Sequence, residues 1–182
     1  MKIKFIHAII FAFVFYQASN AQISSASVGG SIHLGSIQGN SPSVTSAGGT
    51  LFVDFFPWFE NDVSFRLGYT YSQKVEYFLP EDRTGRYYPS IKFISLKGFI
   101  RQDLSYPIYL EEGAGLIYLN DKTLANVNQW EPGAAFSAAI GLDLRKEGIT
   151  GVSFSLGVDY GVCVSGTNAT YYLLFLQSQF YF

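Results

Sequence analysis

The sequence predicts an all-β chain: an eight-stranded antiparallel up-and-down transmembrane β-barrel. Three observations carry this. Eight segments alternate large apolar residues with small or polar ones at period 2. Their connections alternate long and short, as in barrels with long extracellular loops and short periplasmic turns. The chain also ends on a strand with no turn residue and no cap, Tyr171 to Phe182. Natural proteins avoid leaving such an edge open, so another strand must close it.

The elements follow in order. Strand one spans residues 26–34, setting Ala26, Val28, Ile32 and Leu34 against Ser27, Gly29, Ser31 and His33. Residues 35–47 read as a loop rich in Ser, with Gly39, Asn40 and Pro42. Strand two, about 49–57, carries Leu51, Val53 and Phe55 on one face and Thr50, Phe52, Asp54 and Phe56 on the other. Trp58 to Asn61 turn the chain. Strand three, about 62–76, sets Val63, Phe65, Leu67, Tyr69 and Tyr71 against Ser64, Arg66, Gly68, Thr70 and Ser72. A long loop covers 77–89. Strand four, about 90–104, sets Ile94, Leu96 and Ile100 against Ser95, Lys97, Arg101 and Asp103. Ser105-Tyr106-Pro107 is a short turn, and strand five follows at about 108–119.

A polar loop runs from Asp121 to Glu131. Strand six, about 133–145, sets Phe136, Ile140 and Leu142 against Ser137, Gly141, Asp143 and Arg145. Lys146-Glu147-Gly148 is a hairpin turn with Gly last, where a left-handed residue is wanted. Strand seven, about 149–164, sets Phe154, Leu156, Val158 and Tyr160 against Ser155, Gly157, Asp159 and Gly161. Residues 165–169 lead into the last strand. Strand five has one discordant position: if Ala114, Leu116 and Tyr118 face lipid, so does Glu112. Either a bulge shifts the phase there or Glu112 lies near the headgroups.

The N-terminus predicts export. Lys2 and Lys4 precede an apolar run from Phe5 to Tyr16, and Gln17-Ala-Ser-Asn-Ala21 offers a small-residue cleavage site. That order is a secretory signal peptide, residues 1–21, cleaved after Ala21. The run is too short for a spanning helix of about 20 residues. The mature domain is then 22–182. Two lysines leave with the leader, so 12 Lys and Arg become 10 against 14 Asp and Glu, a net charge of −4. That balance excludes a nucleic-acid partner. One cysteine, Cys163, excludes an internal disulfide framework. Charged residues are only 14% of the chain, against about 25% in soluble domains.

The same alternation fits a soluble lipocalin-like barrel or sandwich with its sense inverted. The aromatic terminal strand, the tiny residues of the more polar face and the loop lengths favour the membrane. Aromatics near strand ends, among them Trp58, Phe59, Tyr69, Tyr71 and Tyr118, suit interfacial girdles. Residues 22–182 resemble the small OmpA/OmpX-type outer-membrane β-barrel domain. Leu51–Ser72 is similar to that family's strand–turn–strand unit, and Leu110–Tyr118 to its Gly-rich strand. Phe180 and Phe182 are similar to its C-terminal assembly signal, although Ser178 departs from it. The resemblance implies a monomer in the lipid of the bacterial outer membrane, assembled by machinery that reads the last strand.

Chemistry is sparse. His33 is the one histidine of the mature chain and reads as a polar plug residue; no His/Cys cluster offers a metal site. Cys163 reads as a small filler. No cofactor and no catalytic residue is expected. Lumen-facing charges carry both signs: Asp54, Arg66, Lys97, Arg101, Asp103, Glu111, Asp143, Arg145 and Asp159. A turn centred on Glu60 sets Asp54 opposite Arg66, and one centred on Tyr106 sets Arg101 opposite Glu111. Opposed residues stand about 5 Å apart at Cβ, so these should form ion pairs that close the lumen. Around the loop at 77–89, Tyr77, Phe78, Arg83, Arg86, Tyr87 and Tyr88 are the candidates for contact with an outside ligand. The function expected is a plugged barrel that displays loops. A narrow-pore transport protein is the alternative, and an envelope lipid-modifying enzyme a remote one.

Overall fold

The computed structural model describes residues 23–57, 62–79, 86–145 and 150–182. Eight strands follow one another: β1 (Ile23–Gln38), β2 (Val44–Pro57), β3 (Val63–Lys74), β4 (Ser90–Ser105), β5 (Ile108–Lys122), β6 (Gln129–Asp143), β7 (Gly151–Cys163) and β8 (Thr170–Tyr181). One short 3-10 helix, Val75–Phe78, follows β3. Each strand pairs antiparallel with the next, and β8 pairs with β1, so the sheet closes and has no edge. The last residue takes part in the closure: Phe182 N–H donates to the Ala26 carbonyl at 3.1 Å. The terminal strand therefore ends paired, and Phe180 and Phe182 sit exposed and stacked on the outside, 6.4 Å between rings. The signal-peptide segment and the turns at 58–61 and 146–149 lie outside the described residues.

The loop-length alternation is corrected. The connections have 5, 5, 15, 2, 6, 7 and 6 residues in chain order, so only the third is long. Residues 35–38 and 44–47, expected as loop, are paired strand: Gly35 opposes Ser46 and Ile37 opposes Val44. Likewise β5 runs on through Asp121 and β6 begins at Gln129. Ser, Gly and Asn mark turns because of their local backbone preferences, but a closed ladder supplies hydrogen bonds that outweigh them.

The barrel is inside-out. Leu51 is 72% exposed and Leu116 69%, while Asp54 is fully buried and Arg66 6% exposed. Such a continuous apolar exterior would be an aggregation liability in water. In a bilayer it is the expected surface, with every backbone polar group paired inside the ring. This ordering discards the soluble lipocalin-like alternative. Tyr118 stacks on Trp130 at 5.0 Å, and Lys92 lies over the Trp130 ring, 5.6 Å from its centroid. Aromatic and snorkelling residues at one level make an interfacial girdle.

The interior is layered in a way the sequence reading did not anticipate. Its half nearest the long loop is built around an apolar cluster: Ile37, Ile91, Phe93, Ile117, Leu119, Tyr171 and Leu173 form one buried group with Ala135, Cys163 and Ala169, and Ser46, Ser72, Asp121 and Glu131 are buried beside it. Phe93 and Tyr171 stack face to face, 4.6 Å apart and 13° from parallel. The expectation of a small and polar lumen face holds for the other half and only in part for this one. Cys163 is a buried filler within the apolar cluster.

Candidate functional site

The charged half of the lumen holds the best-ordered chemistry. Asp54 on β2 faces Arg66 on β3 in register, with Val53 opposite Leu67 and Phe55 opposite Phe65. Arg66 grips the carboxylate with two parallel bonds, Nε to Oδ1 at 2.7 Å and Nη2 to Oδ2 at 2.8 Å. Bidentate pairing of this kind is the strong form of the interaction. Its Nη1 donates to Gln177 Oε1 at 3.1 Å. The guanidinium lies between the rings of Phe52 and Phe99, 4.2 and 4.1 Å from their centroids. Gln179 completes the shell, donating from Nε2 to Asp54 Oδ2 at 2.8 Å and to Ser27 Oγ at 2.6 Å.

Glu111 corrects the second expected pair. It stands opposite Arg101 in register, yet its carboxylate reaches Arg66 instead, with Oε1 3.0 Å from Nη2. That contact is coulombic rather than directional, because Oε1 has no aligned hydrogen bond. Arg101 turns towards the rim that carries the Tyr106-Pro107 turn. There it pairs with Asp143, donates to Asp103 at 3.1 Å and to the Tyr181 hydroxyl at 3.2 Å, and lies 3.8 Å over the Tyr109 ring. The physical reason is width. Eight strands leave an interior just filled by side chains, so a long side chain can cross the lumen, and pairing across it competes with pairing along the wall.

The other charges fall into place around these. Lys97 Nζ reaches Asp159 Oδ2 at 2.6 Å and Ser137 Oγ at 2.9 Å. Arg145 pairs with Asp143 at 2.6 Å and covers the Tyr181 ring. Asp103 is not a lumen residue in the sense expected: its side chain is 71% exposed at the rim. His33 is buried, and its Nε2 has no hydrogen-bond partner. It packs against Gly48, where an added Cβ would stand 2.8 Å from Nε2 and run into the Tyr71 carbonyl. Gly48→Ala should therefore destabilise by about 1–3 kcal/mol through overpacking. Urea unfolding in detergent, read as the loss of the folded gel band, checks it.

Among the described residues no group of three or more His, Cys, Asp or Glu could hold a metal. A small cavity beside the network, between His33, Arg66, Lys97 and Asp159, measures about 30 Å³. That is room for about two waters. Sequence reasoning missed Gln177, Gln179, Phe52, Phe99, Tyr109 and Tyr181 as network members. The signal was present in β8, whose inward face passes from Tyr171, Leu173 and Phe175 to Gln177 and Gln179.

At the other end, Tyr77 and Phe78 lie on the 3-10 helix with rings edge-on at 5.5 Å, and Tyr88 packs against Tyr77 at 5.6 Å. Tyr77, Phe78 and Tyr87 are exposed, whereas Tyr88 is buried and is no display residue. The Tyr87 hydroxyl donates to the Lys122 carbonyl at 2.5 Å, tying this loop to β5. Partial burial, with the Asp121 charge nearby, raises the Tyr87 phenol above its ordinary pKa. Arg86 is described and partnered; Arg83 lies outside the described residues.

No protein-family model and no curated protein sequence matches the chain. Solved structures do. Neisserial surface protein A superposes with a TM-score of 0.69 at 13% identity, covering 85% of this chain and 96% of that one. Ail, the attachment invasion locus protein of Yersinia pestis, gives 0.53 at 11% identity, covering 88% and 100%. The outer membrane protein OprG from Pseudomonas aeruginosa gives 0.51 at 11% identity, covering 89% and 97%. At these identities the likeness is one of architecture, and the chain has the fold of the small eight-stranded outer-membrane β-barrels.

Proposed function

We propose that the chain is a non-conducting barrel of the bacterial outer membrane that works through its outer surfaces, displaying loops for structural or surface contacts. One observation carries the reading: the lumen is filled along its length. Charged residues paired around Arg66 and Arg101 occupy one half, and the Phe93–Tyr171 cluster fills the other. A filled lumen leaves the loop at 75–89, with its exposed Tyr77, Phe78 and Tyr87, as the surface most available to a partner. Export by the leader cleaved after Ala21 and delivery by assembly machinery that reads Phe180 and Phe182 belong to the same reading. So does a non-enzymatic role, since among the described residues no nucleophile–base pair faces a cavity large enough for a substrate.

An epitope inserted between residues 82 and 83 tests the placement. It should be labelled on intact cells, while one inserted between Tyr106 and Pro107 should be labelled only after permeabilisation. The folded protein should fractionate with the outer membrane and change its gel migration on boiling. The reverse labelling pattern, or recovery in the soluble fraction without detergent, would contradict the proposal.

A further inference from the structure

The barrel wall carries few cations on its outside. Among the described strand positions only Lys92 and Lys122 are basic and face outward; Arg66, Lys97 and Arg101 lie in the lumen, and Lys74 pairs with Glu76. The two lysines are neighbours. Lys92 opposes Asn120 and Ser90 opposes Lys122, so they stand diagonally on one face of adjacent strands. Diagonal positions lie about 7–8 Å apart, within reach of long side chains. Both sit at the end of the barrel that carries the long loop: Lys92 lies near the start of β4 and Lys122 ends β5. Neither makes an ion pair with any described residue. The carboxylates at this end are buried and bonded elsewhere. Asp121 accepts from the backbone N–H groups of Asn40 at 3.2 Å and Thr123 at 2.7 Å, and Glu131 from that of Thr167 at 2.7 Å.

The surroundings are those of a headgroup level. Lys92 Nζ lies 5.6 Å from the Trp130 ring centroid, Tyr118 stacks on Trp130, and both rings are exposed. Deeper in the wall, Ile94 and Leu116 continue the apolar exterior. Lysines at such a boundary lay their stems on apolar surface and keep their heads in the polar zone, where anionic lipids attract them. Asn120, directly opposite Lys92, is fully buried; its Nδ2 donates to Asn128 Oδ1 at 2.9 Å, and its Oδ1 has no partner. An ammonium has three donors, so Lys92 can give one to Asn120 and keep two for a ligand. The mature chain is net negative, so an anion is drawn here by the local pair and not by the field of the whole protein.

We propose that Lys92 and Lys122 bind the anionic phosphate of a membrane lipid, whose first methylenes rest on the Tyr118 and Trp130 rings. The inference rests on the membrane placement proposed above, and it gives the β4–β6 wall one lipid held at a fixed place among those that merely surround the barrel.

Tryptophan quenching tests this with the mature full-length chain in maltoside micelles. Trp58→Phe leaves Trp130 as the one indole, and the micelles are titrated with dibrominated phosphatidylglycerol or dibrominated phosphatidylcholine. Half-quenching of Trp130 should need about 25-fold less of the anionic lipid, about fivefold for each lysine. Lys92→Gln and Lys122→Gln should each remove about fivefold of that preference and the double variant all of it, while Lys92→Arg should keep it. Lys74→Gln, which changes a cation at the same end but paired with Glu76, should leave it unchanged. Gel migration before and after boiling, read on the same samples, reports the folded barrel, so a failure of folding or of membrane placement is seen apart from a failure of selectivity. Equal quenching of a folded chain by the two lipids, or a preference that survives the double substitution, overturns the proposal. So does displacement of the lipid by millimolar inorganic phosphate at constant ionic strength, which would assign the lysines to the free anion.

Discussion

Arg66→Ala should be the most damaging single substitution in the polar half of the barrel, with a loss of about 3–5 kcal/mol in unfolding free energy. It removes the cation that serves both Asp54 and Glu111, two carboxylates that are nearly inaccessible to water. It also empties the slot between Phe52 and Phe99. The cost comes mainly from the orphaned charges, not from the lost pair itself, because a buried pair contributes little net stability once desolvation is counted. Two further variants separate these terms. Arg66→Lys keeps the charge but loses the planar fork and the stacking, so it should fall between wild type and Arg66→Ala. Combining Arg66→Ala with Asp54→Asn and Glu111→Gln should recover part of the loss. Urea titrations in detergent, followed by the folded gel band, measure all of them; strictly additive losses in the triple variant would sink the orphaned-charge account.

Phe93→Ala should cost a similar amount, about 3–5 kcal/mol, by a different mechanism. Phe93 is fully buried, stacked on Tyr171 and surrounded by Leu119, Ile91 and Ile117 in the apolar half. Truncation leaves a cavity in a closed ring of strands that cannot collapse freely, and the penalty grows with the volume left behind. The two regions share no partner, so Phe93→Ala and Arg66→Ala should add in stability within about 0.5 kcal/mol. A large coupling between them would mean that the apolar and charged layers fold as one packed unit.

The sequence made the ring legible and its filling only half so. Strand alternation placed Val53, Leu67, Phe55 and Phe65 outward, and the inferred turn centres match the observed register of Asp54 with Arg66 and of Arg101 with Glu111. Period 2 and tight turns are local properties, so they survive in a single sequence. What Glu111 does with its carboxylate depends on the lumen's width and on a competitor from another strand, which no hairpin rule contains. The apolar outer half was hidden for a related reason. Ile117 and Leu119 sit in a segment largely apolar on both faces, where alternation gives little contrast, and Ile91 and Phe93 flank Lys92, which makes their side read as the lipid face. Residues 35–38 and 44–47 read as loop because Gly39, Asn40 and Pro42 between them mark a turn, and only pairing with each other and with β8 and β3 shows them to be strand. Glu112 was visible from the start as an anomaly, and the unbroken register makes it an outward carboxylate.

The central claim is that the lumen is plugged, and planar-bilayer recording of the unmodified chain tests it most directly. With the Arg66 network below and the Phe93–Tyr171 cluster above, the purified protein should insert and show no large, stable conductance. Arg66→Ala should at most admit a small leak, since the apolar cluster remains in place above it. A steady, porin-sized conductance from the wild-type chain would contradict the plug and make transport the better reading.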